Sequence, residues 1–402
     1  MDLTLILTAA TLGLLASLNI FVARDIAYPP FLQNLVWIAV LSLLAIFGPD
    51  FSSVNEFILT AVTLAAVGFS TGGWTAYASQ RKERRKLEIE PSKDYTRALT
   101  ALTILAVAIF PFFLWRILAI ANFDISQGFF YRLREALTEN DGQNMFGIGY
   151  YFYFCLIVFL LHYIVSKRIF TIRNVIFFTL PICVSILFVQ KGFILFLLCA
   201  FVGATLVQRK ATSAQAIALA SAILGSTFLL IIFARSSDSA AGSEFVVESL
   251  KVYSLAGLPA LTELTSFGLS GNGEHVFRNL VVWLSRLGFD LTPPPMLQPY
   301  VYVPYGTNVY TYLRPYLIDF GLLGVFFFNG LLGFISVYSY LKARGGSAPF
   351  IIIHSLLYYP LIMQFFDDQY FQLLTLWIYI TVFLIIYFKL FRYRITPHAL
   401  NK

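Results

Sequence analysis

Six arginines have the chemistry to bind an anion: Arg132 and Arg134, then Arg235, Arg278, Arg286 and Arg314. All lie in or beside two polar stretches of an otherwise apolar chain. A guanidinium is a planar fork that grips phosphate oxygens through paired hydrogen bonds. Such groups suit a pyrophosphate presented at a membrane surface. Pairing with local acids such as Glu135, Glu274 or Asp290, or with lipid headgroups, is the structural alternative. Lys191 sits in a minimal break, Gln190-Lys191-Gly192, between two apolar runs. Its ammonium either snorkels to the interface or faces the same phosphates. His275 lies three residues before Arg278, on the same face if that segment is helical, and is a candidate proton acceptor. Asp319 follows Arg314-Pro315-Tyr316 at the start of an apolar run, where a helix dipole alone also accounts for an acid. The Asp367-Asp368 pair could bind a metal, but such a pair is more often a solvated turn. Tyrosines of the second polar stretch suit either the face of a sugar ring or the membrane interface.

Other chemistries lose ground. The four histidines, His162, His275, His354 and His398, are too scattered for a ligand set, and no HExxH or CxxC occurs. There is no Walker loop, dinucleotide glycine fingerprint or GxSxG elbow. Cys155, Cys183 and Cys199 lie inside apolar runs, which disfavours a disulfide framework. The expectation is therefore no metal and no cofactor.

The elements that must position these groups are membrane helices. Of 402 residues 58% are hydrophobic and 12% charged, half the roughly 25% charged share of a soluble domain. Eleven stretches are long enough, or nearly so, to cross a bilayer: 3–23, 34–48, 56–78, 98–118, 147–166, 172–189, 192–208, 214–234, 316–341, 349–366 and 371–391. Arg81, Lys82, Arg84, Arg85, Lys86, Lys93 and Arg97 crowd the third break and place it in the cytoplasm. Alternation from there puts 19 of the 28 basic residues on that side with five of the 21 acids. The amino terminus is then periplasmic and the carboxyl terminus cytoplasmic. The net charge of +7 becomes a topology signal that needs no nucleic-acid partner. The expected architecture is all-α and polytopic, one integral membrane domain over 1–402. Two long outside loops, 119–146 and 235–315, carry the non-membrane mass, the second packed on the bundle. Pro111, Pro181 and Pro360 fall inside spans, where they are expected to kink helices around a cavity.

One segment goes further. Val303-Pro304-Tyr305-Gly306-Thr307-Asn308-Val309-Tyr310-Thr311-Tyr312 closes the large loop, and Asp319-Phe320-Gly321, with Gly324 beyond, opens the next span. This resembles bacterial oligosaccharide repeat-unit polymerases, the Wzy-type O-antigen polymerases, in which a TNVYT-like segment precedes a DFG-G segment. The resemblance is specific over about twenty residues and rests elsewhere on topology. It implies a GT-C-like, metal-independent inverting glycosyltransferase of the bacterial inner membrane. The donor and acceptor would be undecaprenyl-pyrophosphate-linked oligosaccharides, with membrane lipids around the protein and a chain-length regulator as an expected partner. On that footing Arg278, Arg286 and Arg314 bind the pyrophosphate, with Lys191, Arg132 and Arg134 as second choices. Glu274, His275 and Asp319 are the candidate bases. Asn308, Tyr310 and Tyr312 order the loop or touch sugar. The alternatives are an O-antigen ligase, a flippase for the same lipid-linked sugars, and a non-catalytic scaffold.

Overall fold

The structure is a computed structural model and describes residues 3–48, 51–80, 87–90, 92–125, 129–142, 148–166, 172–188, 190–208, 242–266, 271–295, 297–391 and 394–397. The eighth expected span, 214–234, and Arg235 lie outside the described residues, as does the side chain of Lys191.

The described chain is largely helical. In order it forms α1 (Leu3–Ala23), α2 (Pro29–Phe47), α3 (Glu56–Ser79), α4 (Lys93–Ile120), α5 (Phe129–Gly142), α6 (Ile148–Val165), α7 (Ile172–Leu187) and α8 (Lys191–Gln208). Then follow α9 (Gly242–Leu255), α10 (Gly257–Ser266), α11 (Arg278–Arg286), α12 (Leu313–Arg344), α13 (Ala348–Ile362) and α14 (Leu374–Leu390). Among the described residues six helices, α1 to α4, α12 and α13 with its 3-10 extension, are long and apolar enough to cross a membrane. Four shorter apolar helices lie at the positions of the remaining described apolar stretches. Helix α2 begins at Pro29-Pro30, earlier than hydropathy suggests. Proline is suited to the first helical positions, where its missing N–H is not needed.

Two compact units divide the chain: 1–83, 248–341 and 357–382 form the first, and 84–247, 342–356 and 383–402 the second. In the second unit, hydroxyls tie helix to helix. Tyr95 donates to the Leu161 carbonyl, Tyr151 to the Ala106 carbonyl, and Tyr163 pairs with Thr205. Short antiparallel strands β1 (Leu87–Glu90) and β2 (Arg394–Pro397) also pair there.

The first unit holds α1 to α3 and most of α12. Buried Asn19 donates to Ser70 and accepts from Trp74. Helices α3 and α12 touch backbone to backbone. A methyl at Gly68, Gly72 or Gly333 would collide with the carbonyls of Phe326, Gly330 and Phe69 respectively. Where lipid is as apolar as the side chains, such close approach is what holds helices together.

Helix α12 consists of two helical pieces joined at Gly321, whose φ of 61° and ψ of −155° lie in a region open essentially to glycine alone. A continuous helix would separate Tyr316 from Phe328 by about 18 Å along its axis. Instead their rings stack 5.2 Å apart, Phe320 packs on Phe328 at 5.4 Å, and the Tyr312 hydroxyl donates to Asn329. Residues 313–320 therefore fold back beside the long piece, with Gly321 at the tip of the hairpin. This corrects the expectation that Asp319 occupies the first turn of a span. It ends the short piece instead, at the end where a helix dipole disfavours an acid.

Candidate functional site

The hairpin gathers charge at its short arm. Arg314 opens the arm and Asp319 closes it, each the wrong sign for its end of a helix dipole. Both are nearly enclosed, at 7% and 8% exposure. Arg314 lies over the Tyr310 ring, 5.2 Å from its centroid, and its Nε has no hydrogen-bond partner. Asp319 Oδ2 accepts the Val276 N–H at 2.7 Å, while its Oδ1 has no hydrogen-bond partner. Gly271 passes against that oxygen so closely that a methyl there would collide with it. An unpaired buried polar atom costs about 1–3 kcal/mol, so this arm is not arranged for stability alone.

The loop over 271–277 brings Glu274 and His275 to Asp319. One ligand-type atom from each of the three lies within 4.8 Å of the others. Glu274 Oε2 accepts the Asn272 N–H, which, with the Glu274 N–H, holds this carboxyl below its ordinary range. Burial lowers the His275 pKa, opposed by Asp319 and Glu274 and reinforced by Arg314. Its imidazole is then neutral at pH 7 and able to accept a proton or a metal. One histidine and two carboxylates thus assemble across 45 residues of sequence, a grouping that histidine spacing alone does not register.

Behind Arg314 lies the pair read from sequence as a solvated turn. Asp368 is fully buried. It accepts the Tyr316 hydroxyl and the N–H groups of Tyr370 and Phe371. Burial pushes Asp368 up to about 6. Burial, then the Asp368 charge, pushes Asp367 up to about 7. Arg314 and a hydrogen bond from Gln372 partly oppose this at Asp367. Buried Trp37 donates to Gln364, which is also buried. The polar groups thus continue from Glu274 through Arg314 to Gln364.

The other expected residues divide. Arg278 and Arg286 bound α11. The Nε of Arg278 donates to the Pro294 carbonyl at 2.8 Å, and Arg286 is exposed. Asn279 fixes α11 to the start of α14 by donating to the carbonyls of Phe371 and Gln372. The Tyr310 hydroxyl donates to Pro299, and Asn308 is half-buried beside that loop. Tyr310 and Tyr312 are thus tied to protein groups, as loop-ordering residues would be. Lys191, Arg132 and Arg134 belong to the second unit. Arg132 there pairs with Asp124 at 3.0 Å, the local pairing that is the alternative to phosphate binding. Sequence reasoning gave no role to Gly68, Gly72, Gly330 and Gly333. Their spacing in Gly68-Phe69-Ser70-Thr71-Gly72 is the signal that would have found them.

No family model, curated protein or solved structure matches the chain.

Proposed function

We propose that the protein is an inverting membrane glycosyltransferase that polymerises undecaprenyl-pyrophosphate-linked oligosaccharide repeat units at the periplasmic face of a bacterial inner membrane. The proposal includes eleven spans in a GT-C-like arrangement with the amino terminus outside. The observation that carries it is the enclosed Arg314, its Nε unpartnered, on the short arm formed by the segment that resembles repeat-unit polymerases. A guanidinium so placed suits an anionic leaving group, because charge that develops during reaction is best met by donors already fixed in place. In the transfer, a hydroxyl oxygen of the acceptor bonds to the anomeric carbon of the donor. The bond from that carbon to the pyrophosphate oxygen breaks, and the pyrophosphate leaves with the electron pair, toward Arg314. The hydroxyl proton leaves by way of the cluster of Glu274, His275 and Asp319, the candidate bases. Arg278 and Arg286 are the further candidates for phosphate, and Asn308, Tyr310 and Tyr312 shape the surrounding loop.

The test is complementation of a strain lacking the native gene, read as lipopolysaccharide on a gel. Arg314→Ala should leave core capped by single repeat units, the mark of a lost polymerase. Undecorated core would indicate the ligase instead. Long chains of normal length and amount would refute the assignment of Arg314.

A further inference from the structure

We infer that Glu274, His275 and Asp319 form a binding site for a divalent cation. Ligand atoms about 2.1–2.5 Å from one ion lie no more than about 5 Å apart. The three candidate atoms meet that limit, all within 4.8 Å of one another.

The surroundings are prepared as a metal site needs. Each carboxylate has one oxygen held by a backbone N–H, Asp319 Oδ2 by Val276 and Glu274 Oε2 by Asn272. Such supporting bonds orient ligands and leave the second oxygen for the ion. Asp319 Oδ1, on a residue only 8% exposed, has no hydrogen-bond partner. A buried carboxylate oxygen without a donor is a group whose missing partner is commonly an ion or a water. Glu274 and His275 are only half-buried, so an ion has a way in. Two carboxylates and one imidazole, with coordination positions left for water or phosphate, suit Mn²⁺ or a cation like it.

Charge gives a further reason. A pyrophosphate approaching Arg314 also meets Glu274, Asp319 and Asp367. One guanidinium against those carboxyls makes a weak anion site, and a bound divalent cation offsets their excess negative charge. The role toward pyrophosphate rests on the glycosyl-transfer reading, whereas ion binding itself does not. Ligation uses the imidazole lone pair, so His275 cannot then be the base. The ion would lower the pKa of the acceptor hydroxyl, and the proton would leave to water past Glu274.

The experiment is a Mn²⁺ titration of the purified, chelator-treated full chain in detergent. Free Mn²⁺ is read by electron paramagnetic resonance, and melting curves confirm folding. One Mn²⁺ per chain should bind. His275→Ala and the near-isosteric Asp319→Asn should each weaken binding by more than the roughly 10–100-fold that loss of a supporting group costs. Absence of binding to the folded wild type, or unchanged binding in both folded variants, overturns the site. Polymerisation assays run alongside separate the two proposals. A ladder at full rate in chelator overturns the ion's role toward pyrophosphate, leaves glycosyl transfer standing, and leaves the site itself to the titration. No ladder with or without Mn²⁺ counts against glycosyl transfer, and the titration still decides the site.

Discussion

Replacing Arg314 by Met separates a residue kept for function from one kept for stability. Met has similar length, no charge and no donors. In the folded protein Arg314 gains a cation–π contact with Tyr310, worth about 0.5–2 kcal/mol. Against this stands its Nε, buried without a partner, at a cost of about 1–3 kcal/mol. Of the nearby acids, Asp319 keeps its bond from Val276, and Asp367, pushed up to about 7, is about half protonated at neutral pH. These contributions nearly cancel, and apolar replacement of buried ionic groups is often neutral or stabilising. The melting temperature in detergent, followed by tryptophan fluorescence, should therefore move by only a few degrees. Polymerisation should fall about 100–1,000-fold, the usual effect of removing one donor to a developing anion. Arg314→Lys, which keeps the charge but loses the fork, should fall between the two. A loss of about 3–5 kcal/mol in stability, expected on breaking a buried pair that holds the fold, would refute this reasoning. So would activity close to wild type in a well-folded Arg314→Met.

Further predictions test the frame around the site. Gly72→Val should separate α3 from α12 and lower both folded yield and melting temperature, since its side chain would meet the Gly330 carbonyl. A wild-type melting curve for that variant would deny the contact. Gly321→Ala should cost about 1–3 kcal/mol by forcing a side chain into a glycine-only conformation, read as the shift of a denaturation midpoint. Stability should fall as pH rises from about 4, the ordinary carboxyl value, to about 7. Across that window the folded protein keeps a proton on Asp367 that the unfolded chain releases. Above it the effect levels off, and Asp367→Asn should flatten the slope in melting curves taken from pH 5 to pH 8.

Sequence alone makes some of this visible and hides the rest for physical reasons. Apolar runs show the helices because hydropathy is a local property. Arg314 and Asp319 are readable as chemistry because charge is scarce in such a chain. Their arrangement is not readable, because a single glycine decides it. With Gly321 helical, Arg314 and Asp319 would lie on the outer turns of one straight span. With φ at 61° they sit on an arm folded back against Phe328. Asp368 is missed for a related reason. A pair of acids between two spans has the composition of a turn in water, and only the fold shows Tyr316 and two backbone N–H groups closing over it. The cluster at Glu274 escapes a search by histidine spacing because its third member comes from another element. Arg132 is the opposite case. Its type suits phosphate, yet Asp124 lies 3.0 Å away and supplies the partner.

The most direct test of glycosyl transfer is polymerisation by the purified protein in detergent or nanodiscs, given an authentic undecaprenyl-pyrophosphate-linked repeat unit and Mn²⁺ but no nucleotide sugar. The account predicts a ladder of products differing by one repeat unit, with release of undecaprenyl pyrophosphate, and loss of that ladder in folded Arg314→Met. Unchanged substrate after incubation with folded wild-type protein would contradict it.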